Sequence, residues 1–140
     1  MAKPDAVKLL SGVPLFQDLS KKELQALARA AKEVRHDEGD VLAREGDSGV
    51  GFFLIVDGTA KVSQKGRTRR RLGAGDYFGE IALLDEGPRT ATVMAESPIT
   101  MLGLTAWVFK GLVEQHPALA TKLLRTMAER LRTSAPDPTH

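Results

Sequence analysis

Between Glu33 and Leu104 the sequence consists of short apolar or alternating stretches that are separated by glycine-containing turns. Many short stretches at this spacing are typical of strands in a β-sandwich or barrel. We expect strands at 41–42, 52–56, 61–64, 69–72, 90–95 and 99–104. The centre of the chain is therefore predicted to be mainly β.

The N-terminal part predicts two helices. Residues 3–16 indicate a short helix followed by a turn at Pro14. Ser20 and Glu23 match a capping box, in which each side chain hydrogen-bonds to the backbone amide of the other residue. The apolar residues that follow recur at helical spacing, and we expect this second helix to end before Gly39.

The C-terminal part is again helical. Thr105 predicts the cap of a helix over 106–115, and Pro117 suits the first turn of a helix over 118–132. One face of this last helix carries the apolar residues Ala120, Leu124, Met127 and Leu131. This stripe is expected either to pack against the domain's own strands or to form the seam of a homodimer. Residues 133–140 are expected to form a disordered tail.

Length and composition restrict the class of function. A chain of 140 residues is predicted to form a single domain over 1–140. It has no cysteine, and its three histidines lack ligand spacing, so neither a metal site nor a jelly-roll metalloenzyme is expected. No apolar run could span a membrane and no signal peptide is visible. We therefore expect a cytoplasmic protein without a membrane partner.

A cluster of cations without an intervening acid lies between residues 61 and 71. Its members are Lys61, Lys65, Arg67, Arg69, Arg70 and Arg71. Such a run is typical of a solvated hairpin face. The alternative is a patch for nucleic acid or for an acidic partner. No aromatic residue interleaves with the cations to stack on bases, so no nucleic-acid partner is expected.

The segment 78–93 contains the residue types that bind a phosphate and a ribose. Gly79 precedes a predicted helical turn over 80–84, whose first amides have no partner inside the turn and can bind an anion. The planar guanidinium of Arg89 matches two phosphate oxygens. Glu80 would accept a hydrogen bond from a ribose 2′-hydroxyl. A simple salt bridge between Glu80 and Arg89 is the alternative, and the ordered block of motifs favours the ligand site.

This segment resembles the phosphate-binding cassette of the cyclic-nucleotide-binding domain family. The stretches that carry the resemblance are Phe-Gly-Glu-Ile-Ala-Leu-Leu at 78–84 and Pro-Arg-Thr-Ala-Thr-Val at 88–93. It covers residues 13–134, and from residue 89 onward the chain is similar to the sensor domain of catabolite activator protein-like regulators. The resemblance implies an eight-stranded jelly roll (double-stranded β-helix) with an N-terminal helix and two C-terminal helices. It also implies a regulatory sensor that is not an enzyme.

The resemblance further implies roles for individual residues. Glu80 would contact the ribose, Gly79 and Ala82 would offer backbone contacts to the phosphate, and Arg89 would supply its counter-charge. The implied ligand-binding set is Phe78, Gly79, Glu80, Ile81, Ala82, Leu83, Arg89, Thr90 and Ala91. The positions implied to pack against the purine are Val62 and Leu72. The candidates for a lid over the base are Met127, Arg130, Thr133 and Ser134.

The choice of base and the downstream partner are less constrained. Cyclic AMP is favoured over cyclic GMP because the Ala- and Arg-rich sequence has a bacterial character, although the Thr90 hydroxyl could meet the 2-amino group of a guanine. No cofactor besides this ligand is expected. The effector protein is unknown. The chain ends at His140, where a helix-turn-helix domain of a transcription regulator would begin. The alternatives are thus a sensor fragment of a DNA-binding regulator and a protein-interaction module that binds no ligand.

Overall fold

The computed structural model of the chain describes residues 5–48, 51–79, 83 and 87–134. The helices are α1 (Ala6–Ser11), a 3₁₀ turn (Pro14–Phe16), α2 (Lys21–Ala30), α3 (Ala106–Gln115) and α4 (Pro117–Ser134). The strands are β1 (Lys32–His36), β2 (Val41–Ala43), β3 (Gly51–Asp57), β4 (Ala60–Gln64), β5 (Arg67–Leu72), β6 (Tyr77–Phe78), β7 (Thr92–Ala95) and β8 (Ile99–Thr105).

The eight described strands form two antiparallel four-stranded sheets. The first sheet has the order β1-β8-β3-β6 and the second the order β2-β7-β4-β5. Strands that follow one another in the chain thus alternate between sheets, except in the hairpin of β4 and β5. Together with the flanking helices, this arrangement confirms the predicted jelly roll.

Two apolar clusters hold these layers together. One lies between the helices and the first sheet, where the rings of Phe16 and Phe52 meet edge to face with centroids 5.6 Å apart. The other lies between the two sheets and includes Ile55, Leu72 and Met101. Removal of this apolar surface from water is the main stabilising contribution to a domain of this kind. The second cluster includes the buried side chains of β4, β5 and β7.

Helix ends agree with the sequence where a side chain caps the backbone. In the capping box, the Glu23 amide donates to Ser20 Oγ at 3.2 Å and the Ser20 amide donates to Glu23 Oε1 at 2.8 Å. Thr105 Oγ1 accepts from the amide of Val108 at 3.2 Å, and Pro117 is the first residue of α4. These predicted helix starts are confirmed.

Other boundaries differ from the prediction. The first helix ends at Ser11, and Pro14 opens a 3₁₀ turn within the predicted segment 3–16. Strand β1 was not predicted, because it is a half-exposed edge strand with a polar sequence. Helix α4 continues through Ser134, so the expected tail at 133–140 is wrong for its first two residues. Residues 135–140 lie outside the described part of the chain.

The apolar stripe of α4 does not pack as a unit against the domain. Leu124 and Leu131 are 69% and 68% exposed, whereas Leu119 and Leu123 are buried. The buried face of the helix is therefore rotated by about one residue from the stripe, and it packs chiefly against α3 and the 3₁₀ turn. The expectation that the stripe packs against the domain's own strands is wrong for Leu124 and Leu131.

Candidate functional site

A cavity of about 710 Å³ opens beside the second sheet. Strands β4, β5, β6 and β7, the segment that precedes β7 and one side chain of α4 contribute to its lining. Eight residues proposed from the sequence lie in this lining. They are Val62, Leu72, Phe78, Gly79, Arg89, Thr90, Ala91 and Arg130. The structure thus brings together residues that are up to 68 positions apart in the chain, from Val62 to Arg130.

Gly79 and Arg89 are in close contact at the wall of this cavity. Gly79 has a φ of +84°, a region that side chains other than glycine rarely occupy. A Cβ atom at this position would lie 2.5 Å from Arg89 Nη1 and would also overlap the carbonyl oxygen of Gly51. Arg89 Nη2 donates to that carbonyl oxygen at 2.8 Å. Glycine is therefore required at position 79 for the guanidinium to hold its place.

The backbone of Arg89 is held by the loop between β2 and β3. The Arg89 amide donates to the carbonyl oxygen of Asp47 at 2.7 Å, and the Gly46 amide donates to the carbonyl oxygen of Arg89 at 2.9 Å. Ser48 and Pro88 form an isolated antiparallel bridge next to these bonds. The turn at Gly46, which has a φ of +89°, thus positions the arginine from outside the cavity.

A second set of hydrogen bonds joins the cavity wall to the hairpin of β4 and β5. Gln64 Nε2 donates to the carbonyl oxygen of Thr90 at 3.0 Å. The Lys65 amide donates to Glu45 Oε1 at 3.0 Å, and the Glu45 amide donates to Thr92 Oγ1 at the same distance. Strand β7 begins at Thr92, so residues 90 and 91 are not part of the predicted strand over 90–95. They line the cavity.

One side of the cavity is apolar. It is formed by Ala43, Val62, Leu72 and Val93. Val62 pairs with Val93 across β4 and β7, and Leu72 on the neighbouring strand β5 is buried at 2% exposure. Apolar side chains at this site can exclude water from the face of a flat aromatic ligand.

Outside the segment 78–93, the sequence did not predict four residues of the cavity lining, which are Ala43, Arg70, Asp76 and Tyr77. Arg70 pairs with Val62 across the hairpin and lies two residues before Leu72, so it shares their side of β5. The alternation of sides along the strand, counted from Leu72, was the signal that could have separated Arg70 from the adjacent arginines. Asp76 and Tyr77 also line the cavity. Asp76 Oδ2 accepts from the Gly73 amide at 2.8 Å, which stabilises the turn before β6.

Several proposed residues do not reach the described lining. Glu80, Ile81 and Ala82 lie outside the described residues. Leu83 is buried in the apolar cluster beneath the helices, and Met127 packs against the same cluster. Thr133 is exposed, and its hydroxyl lies within hydrogen-bonding distance of the carbonyl oxygens of Glu129 and Arg130. The side chain of Ser134 is outside the described part.

The charges around the cavity favour an anionic ligand. Three guanidinium groups contribute to its lining, those of Arg70, Arg89 and Arg130, against one described carboxylate, that of Asp76. Arginine stays protonated throughout the physiological pH range, so the positive charge that these described residues contribute is permanent. Within the described residues, no cluster of potential metal ligands is present. No described helix is long and apolar enough to cross a membrane.

Two antiparallel four-stranded sheets with flanking helices, and a cavity beside the second sheet, define a jelly-roll β-sandwich. A profile of the cyclic nucleotide-binding domain matches residues 33–116. The chain therefore belongs to the cyclic nucleotide-binding domain family, and domains of this family are regulatory modules.

Relatives and solved structures agree with this assignment. The chain is 37% identical over 123 residues to a cyclic nucleotide-gated potassium channel of Rhizobium etli. The matched residues make up 88% of this chain and 34% of the channel. It is also 40% identical over 94 residues to a cAMP-dependent protein kinase regulatory subunit of Schizosaccharomyces pombe. Here the matched residues make up 66% of this chain and 23% of the subunit. The chain thus spans about a third or less of the length of these relatives.

A solved structure resembles almost the whole chain. It is the N-terminal domain of a transcriptional regulator from Streptomyces coelicolor A3(2), with a TM-score of 0.84 and 31% sequence identity. The similarity covers 91% of this chain and 94% of that domain. The described fold is therefore that of a domain found in larger regulatory proteins.

Proposed function

We propose that the cavity binds the phosphate and ribose of a cyclic nucleotide, and that the chain acts as a regulatory sensor and not as an enzyme. The contact between Arg89 and Gly79 is the observation that carries this proposal. It holds a guanidinium cation at the cavity wall, in the space that the missing side chain of Gly79 leaves for it. Such an arrangement suits an anion whose oxygens lie close together.

The phosphate would be bound by Arg89 and by backbone amides. The bond from Nη2 to the Gly51 carbonyl oxygen orients the plane of the guanidinium, which matches two phosphate oxygens. The proposed roles of Glu80 on the ribose and of Ala82 on the phosphate come from the family motif. Because both residues lie outside the described part, the proposal rests for them on the sequence.

The purine would pack on the apolar side of the cavity. Val62 and Leu72 lie there beside Val93, and burying a purine face against them removes apolar surface from water. Cyclic AMP is the ligand that we favour. Its adenine needs little more than such a surface, because its 6-amino group can remain hydrated at the cavity mouth.

Arg70 favours cyclic GMP as a second candidate ligand. Guanine presents two neighbouring acceptors, O6 and N7, and an arginine can donate to both, whereas adenine has a donor in place of O6. Arg70 lines the cavity on the same side as Val62. Thr90 also lines the cavity, where its hydroxyl could accept from the guanine 2-amino group. These two contacts would select guanine.

Titration calorimetry with cyclic AMP, cyclic GMP and 5′-AMP tests the proposal. We expect a cyclic nucleotide to bind and 5′-AMP to bind far more weakly, because only the ring-closed phosphate holds its oxygens close to the ribose. Binding of none of the three would reject the proposed function. The variant Arg70→Ala separates the two candidates, since it should weaken cyclic GMP and leave cyclic AMP unchanged.

Ligand binding would be transmitted to the C-terminal helices. Arg130 extends from α4 to the cavity, and Met127 packs one turn before it. We expect phosphate capture at the cavity to repack α3 and α4 over the base, which biases an equilibrium between two conformations. Amide exchange over 105–132, measured with and without ligand, checks this mechanism. Equal protection in both states would contradict it.

A sensor portion of a DNA-binding regulator is a second candidate role. The observation that favours it is the similarity to the N-terminal domain of a transcriptional regulator. The reading frame downstream of codon 140 tests this role directly. A continuing frame that encodes a helix-turn-helix would support it, and a stop codon would favour a separate effector protein.

A further inference from the structure

We propose that the exposed end of the hairpin β4–β5 is a docking site for an acidic segment of a partner protein. This docking face is defined by Lys65, Arg67 and Arg69, which are all exposed. Within the described residues, no carboxylate side chain lies within ion-pair distance of these three cations. By contrast, Arg71 on the same strand is bonded to Glu96 at 3.0 Å.

Edge protection does not account for this concentration of arginine. Strand β5 is the last strand of its sheet, and cations, most often lysine, are a common device against edge-to-edge pairing. However, the register between β4 and β5 shifts at Val62 and Ser63, and such an irregularity already disrupts a flat edge. Arginine side chains add bidentate carboxylate recognition, which edge protection does not require.

The chemistry of the hairpin favours an acidic protein segment over two other polyanions. Residues 60–72 contain no aromatic side chain on which a nucleic-acid base could stack. The exposed residues 65–71 contain no apolar side chain that could enter a lipid surface. What remains is a group of three cations, two of them planar guanidinium groups, that is complementary to closely spaced carboxylates.

The docking face is connected to the cavity through a series of hydrogen bonds. Gln64 and Lys65, at the end of the hairpin, bond to Thr90 and Glu45, and the next residue, Gly46, bonds to Arg89. A partner that docks here would contact the element that also supplies Val62 and Arg70 to the cavity. This step, from docking to sensing, rests on the proposed function, whereas the docking face itself does not.

Fluorescence anisotropy with a labelled polyglutamate peptide of about ten residues, longer than β5 when extended, tests the docking face. We expect the double variant Arg67→Gln/Arg69→Gln to weaken binding at least about tenfold, since paired arginines dominate such contacts. The matched control Arg29→Gln/Arg125→Gln removes two exposed arginines elsewhere and should change binding less than about twofold.

Three outcomes would overturn the proposal. They are the absence of peptide binding, an equal loss in both double variants, and tighter binding of an oligouridylate or of phosphatidylserine vesicles than of the peptide. Titration of the Arg67→Gln/Arg69→Gln variant with cyclic AMP and cyclic GMP distinguishes this failure from failure of the proposed function. The variant leaves the cavity lining intact, so its nucleotide binding should equal that of the parent.

Discussion

Arg89 and Gly79 depend on each other although neither residue identifies a site alone. The guanidinium lies so close to the glycine that even one methyl group would displace it, and it donates a hydrogen bond to the carbonyl oxygen of Gly51 in β3. The backbone of Arg89 is fixed separately by Asp47 and Gly46. A change of the Arg89 side chain should therefore alter ligand binding while the surrounding loop persists.

Replacement of Arg89 by alanine should cost about 2–5 kcal/mol of cyclic-nucleotide binding, because it leaves a buried phosphate without its counter-charge. Calorimetric titration of the parent and the variant measures this loss. Arg29→Ala, at an exposed position of α2, is the control and should bind like the parent. Parental affinity in Arg89→Ala would refute the assignment of the phosphate site.

Replacement of Gly79 by alanine should destabilise the fold by at least about 1–2 kcal/mol, the typical cost of a left-handed conformation, and should also weaken ligand binding. Gly111 offers a matched control, since it lies inside α3 and a Cβ there would meet no atom within 4 Å. Gly111→Ala should stabilise the protein by about 0.5–1 kcal/mol. Denaturant unfolding of both variants measures whether the free energy of unfolding falls for Gly79→Ala and rises for Gly111→Ala.

At the level of elements, polar contacts fasten α4 to the N-terminal segment. Lys122 Nζ donates to Glu23 Oε1 at 2.6 Å, and the Thr126 hydroxyl lies 3.3 Å from Asp18 Oδ2. Burial by itself would raise the pKa of Glu23, but hydrogen bonds from Lys122 and Ser20 outweigh it and hold the pKa below its usual value. Glu23 thus links the cap of α2 with the middle of α4.

Lys122→Met should lower the free energy of unfolding at neutral pH by about 1.5–3 kcal/mol, since it removes a hydrogen bond between charged groups. Because the pKa of Glu23 is lower in the folded state, its stabilisation is present above the unfolded pKa of about 4.3 and is lost as the pH falls through the folded pKa. The variant should therefore lose less stability on acidification than the parent.

Chemical unfolding at neutral and acidic pH measures both effects. Lys110→Met, at an exposed position of α3, is the control and should leave stability and its pH dependence nearly unchanged. An equal acid sensitivity of the Lys122→Met variant and the parent would show that the ion pair does not stabilise the helix contact.

At the scale of the whole molecule, α4 leaves an apolar row outside the core. Leu124 and Leu131 lie seven residues apart on one face and are largely exposed. Residues at this spacing align along a helix and suit a partner helix. The homodimer through helix 118–132 therefore stays a proposal, and the exposed row gives it a testable surface.

We expect weak self-association that the double variant Leu124→Ser/Leu131→Ser reduces at least about tenfold, because most of the apolar surface of the seam would be lost. Sedimentation equilibrium measures the association constants. Trp107→Ser removes another exposed apolar side chain, which is 83% exposed on α3, and should leave association unchanged. A parent that is monomeric at high concentration would exclude the seam.

The predictability of the site differed among its parts. Arg89, Gly79 and Thr90 lie in one contiguous motif, so sequence alone could propose them together. Arg70 was assigned to a solvated face, because a run of adjacent cations hides the alternation of sides along a strand. The sequence also did not show that Leu119 is buried and Leu124 exposed. Both are leucines of the same helix α4, and only the position of neighbouring elements decides which one is buried.

Local chemistry in the chain was sufficient to predict the helix caps, several turns and six of the eight described strands, because these depend on residues close to one another in sequence. The tertiary structure alone decided which side chains meet in the cavity. Arg130 reaches the site across the fold, and Arg89 is oriented by the carbonyl oxygen of Gly51. Contacts between distant segments depend on how sheets and helices pack, and no short sequence pattern specifies that packing.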